Sequence, residues 1–272
     1  MKFAVIEGER REARPGLSAK CPACGDAMIA KCGPHVVWHW AHRRCRTCDR
    51  WWESETEWHR AWKDQFPEHW QEVIHRSENG EKHIADVKTE SGVVLEFQHS
   101  FLCPEERESR ESFYQNMIWV VDGLRRKQDR VKFFASLGTP IGGSGKLRIF
   151  SVPSNKGALL RDWAASRVPV YFDFGDSEPG DTLRFNTPAL WRLSPRGPNG
   201  TAYLSPVPKR FFLRVHREER SFERKCTETV NRIAAAVERA VADCLKQQAP
   251  RSRALIGFER YMARRQLEQR RF

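Results

Sequence analysis

His83-Ile84-Ala85-Asp86-Val87-Lys88 and Val93-Val94-Leu95-Glu96-Phe97-Gln98 are two short runs rich in β-formers, separated by Thr89-Glu90-Ser91-Gly92. Such runs around a turn-forming stretch predict a β-hairpin. Asp86 precedes Glu96 by ten residues, a separation that fits two carboxylates brought to one end of a sheet. Glu96 and Gln98 are two apart and share a strand face. Clustered carboxylates with an amide neighbour suit a hard divalent ion such as Mg²⁺ or Mn²⁺. Such an ion polarises a phosphate and acidifies a bound water. The same pattern also fits solvent-facing hairpin residues, and local spacing alone does not separate the two readings.

Outward from the hairpin, residues 51–66 read as a helix. Trp51, Trp58, Trp62 and Phe66 recur at spacings compatible with one face, and Pro67 ends the run. Glu55 and His59, four apart, lie on one face of that helix. Val73-Ile74-His75 is a short strand candidate. Beyond the hairpin, residues 105–115 are helical in composition, 118–122 form a buried strand candidate, and 131–137 a short helix. The Gly-rich stretch 138–145 reads as a loop, because no Lys-Ser or Lys-Thr follows its last glycine as a phosphate-binding Walker loop requires. Short strands are predicted from Val168-Pro169-Val170-Tyr171-Phe172-Asp173 on to Phe211-Phe212-Leu213-Arg214-Val215. A helix over 217–248 carries the stripe Val230, Ile233, Val237, Val241 and Cys244. Pro250 breaks it, and a basic helix over 254–271 follows. The apolar stripe is expected to pack on the core or form a dimer seam, with Arg220, Arg224, Arg232 and Arg239 solvated. Arg264, Arg265, Arg270 and Arg271 form a candidate nucleic-acid contact.

Before the helix, Cys21-Pro22-Ala23-Cys24 and Cys45-Arg46-Thr47-Cys48 form two C-x2-C turns with twenty residues between them. Two tight turns that each present two thiolates complete a tetrahedral zinc site, which folds its segment and does no chemistry. The expected ligands are Cys21, Cys24, Cys45 and Cys48. The alternative set is Cys21, Cys24, His39 and His42. In the four-cysteine reading His39 and His42 only pack or support the ligands, and His35 is a loop histidine. Three segments follow: a zinc module over 1–50, a main domain over 51–215 and a basic helical extension over 216–272.

The chain has 272 residues, with 40% hydrophobic and 30% charged, and eight Cys and ten Trp. That length buries a real core. No apolar run approaches the ~18 residues a membrane helix needs, and the early charge in Met1-Lys2-Phe3 does not fit a signal peptide. The reading is therefore cytoplasmic, with no membrane partner. The formal charge of +12 favours a polyanion, because each neutralised phosphate releases counterions.

In order and spacing these segments resemble the competence protein CoiA-like family, whose nuclease domain belongs to the PD-(D/E)xK, restriction-endonuclease-like class. Cys21-Pro22-Ala23-Cys24-Gly25 resembles the family's cysteine knuckle, and His39-Trp40-Ala41-His42 its His-aromatic-Ala-His motif. Glu55-Thr56-Glu57-Trp58-His59 followed by Lys63 resembles its Glu-Ser-x-x-His…Lys helix. Ala85-Asp86-Val87 and Glu96-Phe97-Gln98-His99-Ser100 resemble its metal-binding strands, and Arg110, Tyr114 and Trp119-Val120-Val121 the helix and strand beyond. The likeness covers 1–121 well and reaches 215 loosely. It implies an α/β (α+β) fold: a mixed central sheet flanked by helices, a zinc module on one side and a helical extension at the C-terminus. It implies hydrolysis of DNA phosphodiesters, in DNA uptake, recombination or anti-phage defence. Asp86 and Glu96 would hold Mg²⁺ or Mn²⁺, Glu55 would complete the shell, and His59 and Lys63 would touch phosphate or support the shell. Gln98 stands where the class has Lys. It cannot carry charge or donate a proton to a leaving group at neutral pH, so it is expected to position water. Expected partners are DNA, a second copy of the chain, or a complex with a helicase or ATPase. A reading of a different class is a zinc-containing nucleic-acid-binding adaptor without turnover.

Overall fold

The computed structural model describes residues 1–44, 48–78, 80–142, 148–175, 188–194, 200–218, 224–239 and 243. Cys45, residues 143–145, Arg220, Val241, Cys244 and the basic segment 254–271 lie outside the described residues. Residues Met1–Lys225 form one compact unit and Cys226–Phe272 a second.

The first unit opens with an antiparallel sheet of β1 (Phe3–Ile6), β2 (Glu9–Glu12), β3 (Ser18–Lys20), β4 (Ala27–Lys31) and β5 (His39–His42), in the order β2-β1-β3-β4-β5. The sequence pattern predicts only β1. Strand β2 reads Glu-Arg-Arg-Glu and is exposed throughout, so no hydrophobic alternation marks it. Trp40 anchors the sheet. It is fully buried against Ala4, Ala13 and Met28, and its indole Nε1 donates to Arg11 O at 2.8 Å. Ile74 and Ile84 of the larger sheet pack against this cluster.

That larger sheet follows α1 (Glu57–Lys63) and a 3-10 turn at Glu68–Trp70. Helix α1 starts later than the Trp periodicity predicts. Thr56 is its N-cap, extended in backbone, with its hydroxyl accepting from His59 N at 3.2 Å. Next come β6 (Gln71–Arg76), β7 (Lys82–Lys88), β8 (Val94–Gln98), α2 (Pro104–Tyr114), β9 (Met117–Asp122) and α3 (Asp129–Ser136). They are followed by β10 (Phe150–Pro153), α4 (Ala158–Trp163), β11 (Val170–Asp173), β12 (Ala189–Leu193), β13 (Thr201–Pro208) and α5 (Lys209–Arg217). The eight strands run β10-β13-β12-β11-β9-β8-β7-β6. β9 is parallel to both β8 and β11, and the other neighbours are antiparallel. The all-buried run Met-Ile-Trp-Val-Val-Asp of β9 is what a central parallel strand covered on both faces requires.

One face of the sheet packs on Tyr114 of α2, Phe133 of α3 and Leu160 and Trp163 of α4, around Trp119 and Trp191. The other packs on Trp62 of α1 and Phe212 of α5, around Phe97 and Tyr171. The fold is thus a mixed α+β arrangement with helices on both faces of the main sheet.

One expectation is corrected here. Phe211-Phe212-Leu213-Arg214-Val215 is helix α5, not a strand. A short apolar run is ambiguous between the two periods. Buried Phe212, Val215 and His216 fall at i, i+3 and i+4, and Pro208 at the entry suits a helix start. In the second unit the described residues up to 239 are helical, with Cys226, Val230 and Ala234 buried on one face. Among the described residues, no helix is long and apolar enough to cross a membrane.

Candidate active site and metal cluster

The predicted hairpin forms, pairing Val87 with Leu95 and Lys88 with Val94. Its turn is closed by Gly92 N donating to Thr89 O at 3.0 Å, with Gly92 at φ +80°, a conformation that favours glycine. Past Val87 and Leu95 the regular pairing gives way to side chains. Asp86 N donates to Glu96 Oε1 at 3.2 Å, and Phe97 N donates to Asp86 Oδ2 at 2.9 Å. Each carboxylate therefore bonds the backbone of the opposite strand, and both line a cavity of about 70 Å³. A water needs roughly 10–15 Å³ of such space, so the cavity has room for several.

Further charged residues line the same cavity, among them Glu53, Glu55, Lys63, Glu72 and Arg110. Lys63, nearly fully buried, places Nζ 2.8 Å from Glu55 Oε1 and 3.0 Å from Glu72 Oε1. Burial works to lower its pKa, but Glu72, Glu55 and Asp86 outweigh it and raise the pKa, so Lys63 stays charged. Burial raises the Asp86 pKa above the usual carboxylate range, against the pull of Lys63 and His59. Burial and the Asp86 charge push Glu96 up to about 8, although Arg110 Nη1 sits 3.2 Å from Glu96 Oε2. Glu72 moves the opposite way. Burial opposes ionisation there, but Lys63, the terminal amine and the backbone amides of Lys2 and Phe3 hold it at about 2. Glu72 also adopts φ +49°, a left-handed conformation that costs a non-glycine residue about 1–3 kcal/mol and persists only where the surroundings enforce it.

The sequence candidates are not all equally placed. Asp86, Glu96, Glu55, His59 and Lys63 line the cavity, whereas Gln98 reaches it only through a hydrogen bond from its Nε2 to Glu53. Both nitrogens of the buried His59 are engaged. Nε2 donates to Phe97 O, and Nδ1 lies 3.1 Å from Thr56 Oγ1. That arrangement braces α1 against β8. Glu53, Glu72 and Arg110 take part without having been predicted as site residues. Glu53 and Glu55 stand in the irregular segment before α1, and residues 51–55 all line the cavity. Glu72 carries no spacing signal at all.

The cysteine knuckle forms a compact donor set. Ligand atoms of Cys21, Cys24, His42 and Cys48 all lie within 4.8 Å of one another. Cys21 Sγ is 3.6 Å from Cys48 Sγ, and His42 Nε2 is 3.3 Å from Cys24 Sγ. The first turn is shaped by Gly25 N donating to Cys21 O, with Gly25 at φ +79°. The hydrogen bond with Cys48 holds the Cys21 thiol down to about 4, helped by the backbone amides of Cys24 and Ala23, and the same contact raises Cys48. Three thiols and an imidazole are the donor chemistry of a tetrahedral zinc site. The expected quartet includes Cys45, outside the described residues; among the described ones, His42 supplies the fourth donor. His39 is not in this set; its Nδ1 donates to Val37 O at 2.7 Å. Among the described residues no other set of three or more His, Cys, Asp or Glu side chains converges this closely.

No protein-family model, no curated protein and no solved structure matches the chain.

Proposed function

We propose that the chain is a metal-dependent nuclease that hydrolyses DNA phosphodiester bonds, with a structural zinc ion in its N-terminal module. The observation that carries this reading is the pair Asp86 and Glu96, whose carboxylates cross between β7 and β8 beside the charged Lys63 in one cavity. The mixed sheet flanked by helices agrees with the restriction-endonuclease-like class that the sequence resembles, and the +12 charge favours a polyanionic substrate.

Asp86 and Glu96 offer hard oxygen donors, and Mg²⁺ is commonly held by one or two carboxylates with waters and substrate phosphate completing its shell. These two residues would hold Mg²⁺ or Mn²⁺, which when bound polarises a phosphate and acidifies a water. Lys63, fixed by Glu55 and Glu72, supplies positive charge beside Asp86. Gln98 acts at one remove, orienting Glu53. His59 holds the Phe97 carbonyl and so the strand that carries Glu96.

The test is cleavage of a panel of single- and double-stranded DNA with Mg²⁺ or Mn²⁺, using Asp86→Ala and Glu96→Ala as controls. Cleavage by the wild type, lost in both variants, supports the reading. No cleavage of any substrate by the wild type ends it. A second reading draws on the Arg110–Glu96 pair, which already neutralises one carboxylate. It makes the protein a zinc-containing nucleic-acid-binding adaptor that shifts DNA in a gel, weakening with salt, but never cuts it.

A further inference from the structure

Among the described residues only three aromatic side chains are strongly exposed: Trp38, Trp52 and Phe101, at 47%, 43% and 63%. Trp52 lines the carboxylate cavity, and the other two adjoin residues bonded to its lining. Phe101 follows Ser100, whose hydroxyl donates to Glu53 Oε1 at 2.8 Å. The carbonyl of Trp38 accepts from Arg60 Nη2 at 2.8 Å, and Arg60 Nε lies 3.2 Å from Glu55 Oε1. Exposed apolar residues scattered singly over a surface carry no message. Three exposed aromatic residues, one lining a polar cavity and two joined through a neighbour to residues that line it, form a pattern that folding alone does not require.

We infer that this cavity receives a single strand of DNA whose unpaired bases stack on Trp52, Trp38 and Phe101. The inference rests on the nuclease reading and narrows its substrate. In a duplex each base face is covered by its neighbours, and only edges reach the grooves. A ring at the surface gains a stacking partner from a strand whose bases are unpaired, and stacking is indifferent to sequence because every base has a π-face. Trp52 also borders an adjoining pocket of about 150 Å³ floored by Met28, Trp40 and Ile84, with Arg44 among its lining residues. Its apolar floor suits a base, and the basic excess of the chain suits the phosphates on either side.

The experiment measures binding by fluorescence anisotropy with the full chain, zinc retained, and no added divalent metal or chelator. The probes are a labelled oligothymidylate, a duplex of the same length and an abasic strand with the same number of phosphates. The oligothymidylate is expected to bind more tightly than either other probe. Trp52→Ala, Trp38→Ala and Phe101→Ala are each expected to weaken it by roughly 5- to 150-fold. Binding of the abasic strand stays unchanged, and Trp52→Tyr restores most of the loss. Should Trp52→Ala fail to fold, the two more exposed positions carry the test. Equal binding of all three probes, or alanine variants that weaken all three alike, would overturn the inference. Cleavage is read separately: cutting without aromatic-dependent binding removes this inference and keeps the nuclease. Aromatic-dependent single-strand binding without cutting does the reverse.

Discussion

Arg110 Nη1 lies 3.2 Å from Glu96 Oε2, and both side chains are about 95% buried. Taking two ions out of water is costly, so removing one alone leaves the other without compensation. Above pH 8, where Glu96 is ionised, Arg110→Met is therefore expected to destabilise the fold by about 3–5 kcal/mol. Adding Glu96→Gln to the same chain removes the orphaned charge and returns much of that loss. Urea unfolding of the two single variants and the double variant checks this. If Arg110→Met unfolds at the wild-type midpoint, Arg110 is not the counter-ion that the geometry indicates.

Glu72 gives the pH dependence a definite sign. Its pKa, about 2 in the folded protein, lies below the ordinary 4.5. A depressed carboxylate contributes stability that is fully present above the unfolded value and is lost as pH falls through the folded one. The stability lead of wild type over Glu72→Gln should hold near neutrality and shrink between about pH 4.5 and pH 2. Denaturant unfolding of both proteins over that range is the measurement. A lead that is constant with pH would show that the ionised carboxylate is not what matters at this position.

His59 separates bracing from chemistry. Its Nε2 is committed to Phe97 O and its Nδ1 faces Thr56 Oγ1. Losing a buried hydrogen-bond partner costs about 1–3 kcal/mol. His59→Ala is expected to lower stability by that amount while each folded molecule retains most of whatever cleavage the wild type shows. A fall in kcat of a hundredfold or more at unchanged stability would instead place the imidazole in the reaction.

The hairpin that carries Asp86 and Glu96 was legible because both strands carry strong β-formers around a turn, and β7 and β8 fall within a residue or two of the expected runs. Helices α2 and α3 and strand β9 also fall close to their expected positions, since each is a sustained pattern bounded by Pro, Gly or polar residues. The five-stranded sheet was mostly hidden. Its strands are short, and β2 and β3 present mainly polar side chains, so burial leaves no period to read. At the site, Asp86 and Glu96 could be placed together by register alone. Glu53 was hidden because 51–56 read as helix, while Thr56 in fact delays the helix start to Glu57. Glu72 was beyond sequence reasoning altogether, since its role comes from a positive φ and from amides seventy residues away.

The metal cluster poses the sharpest remaining contrast, between His42 and Cys45 as the fourth ligand. His42 Nε2 lies 3.3 Å from Cys24 Sγ, within the same 4.8 Å set as Cys21 and Cys48. A tetrahedral structural zinc takes four donors and no more. If His42 is the fourth, Cys45→Ser keeps about one zinc per chain, while His42→Ala and Cys48→Ser lose it. Loss of the metal should also unfold the module, because a structural site contributes its binding free energy to folding. Trp40 reports that unfolding: it is buried in β5 beside His42, so its release should shift the protein's fluorescence to the red. Zinc content by elemental analysis, with emission spectra of the same samples, decides the matter. Zinc lost in Cys45→Ser but kept in His42→Ala would assign the fourth position to cysteine and leave His42 as a neighbour.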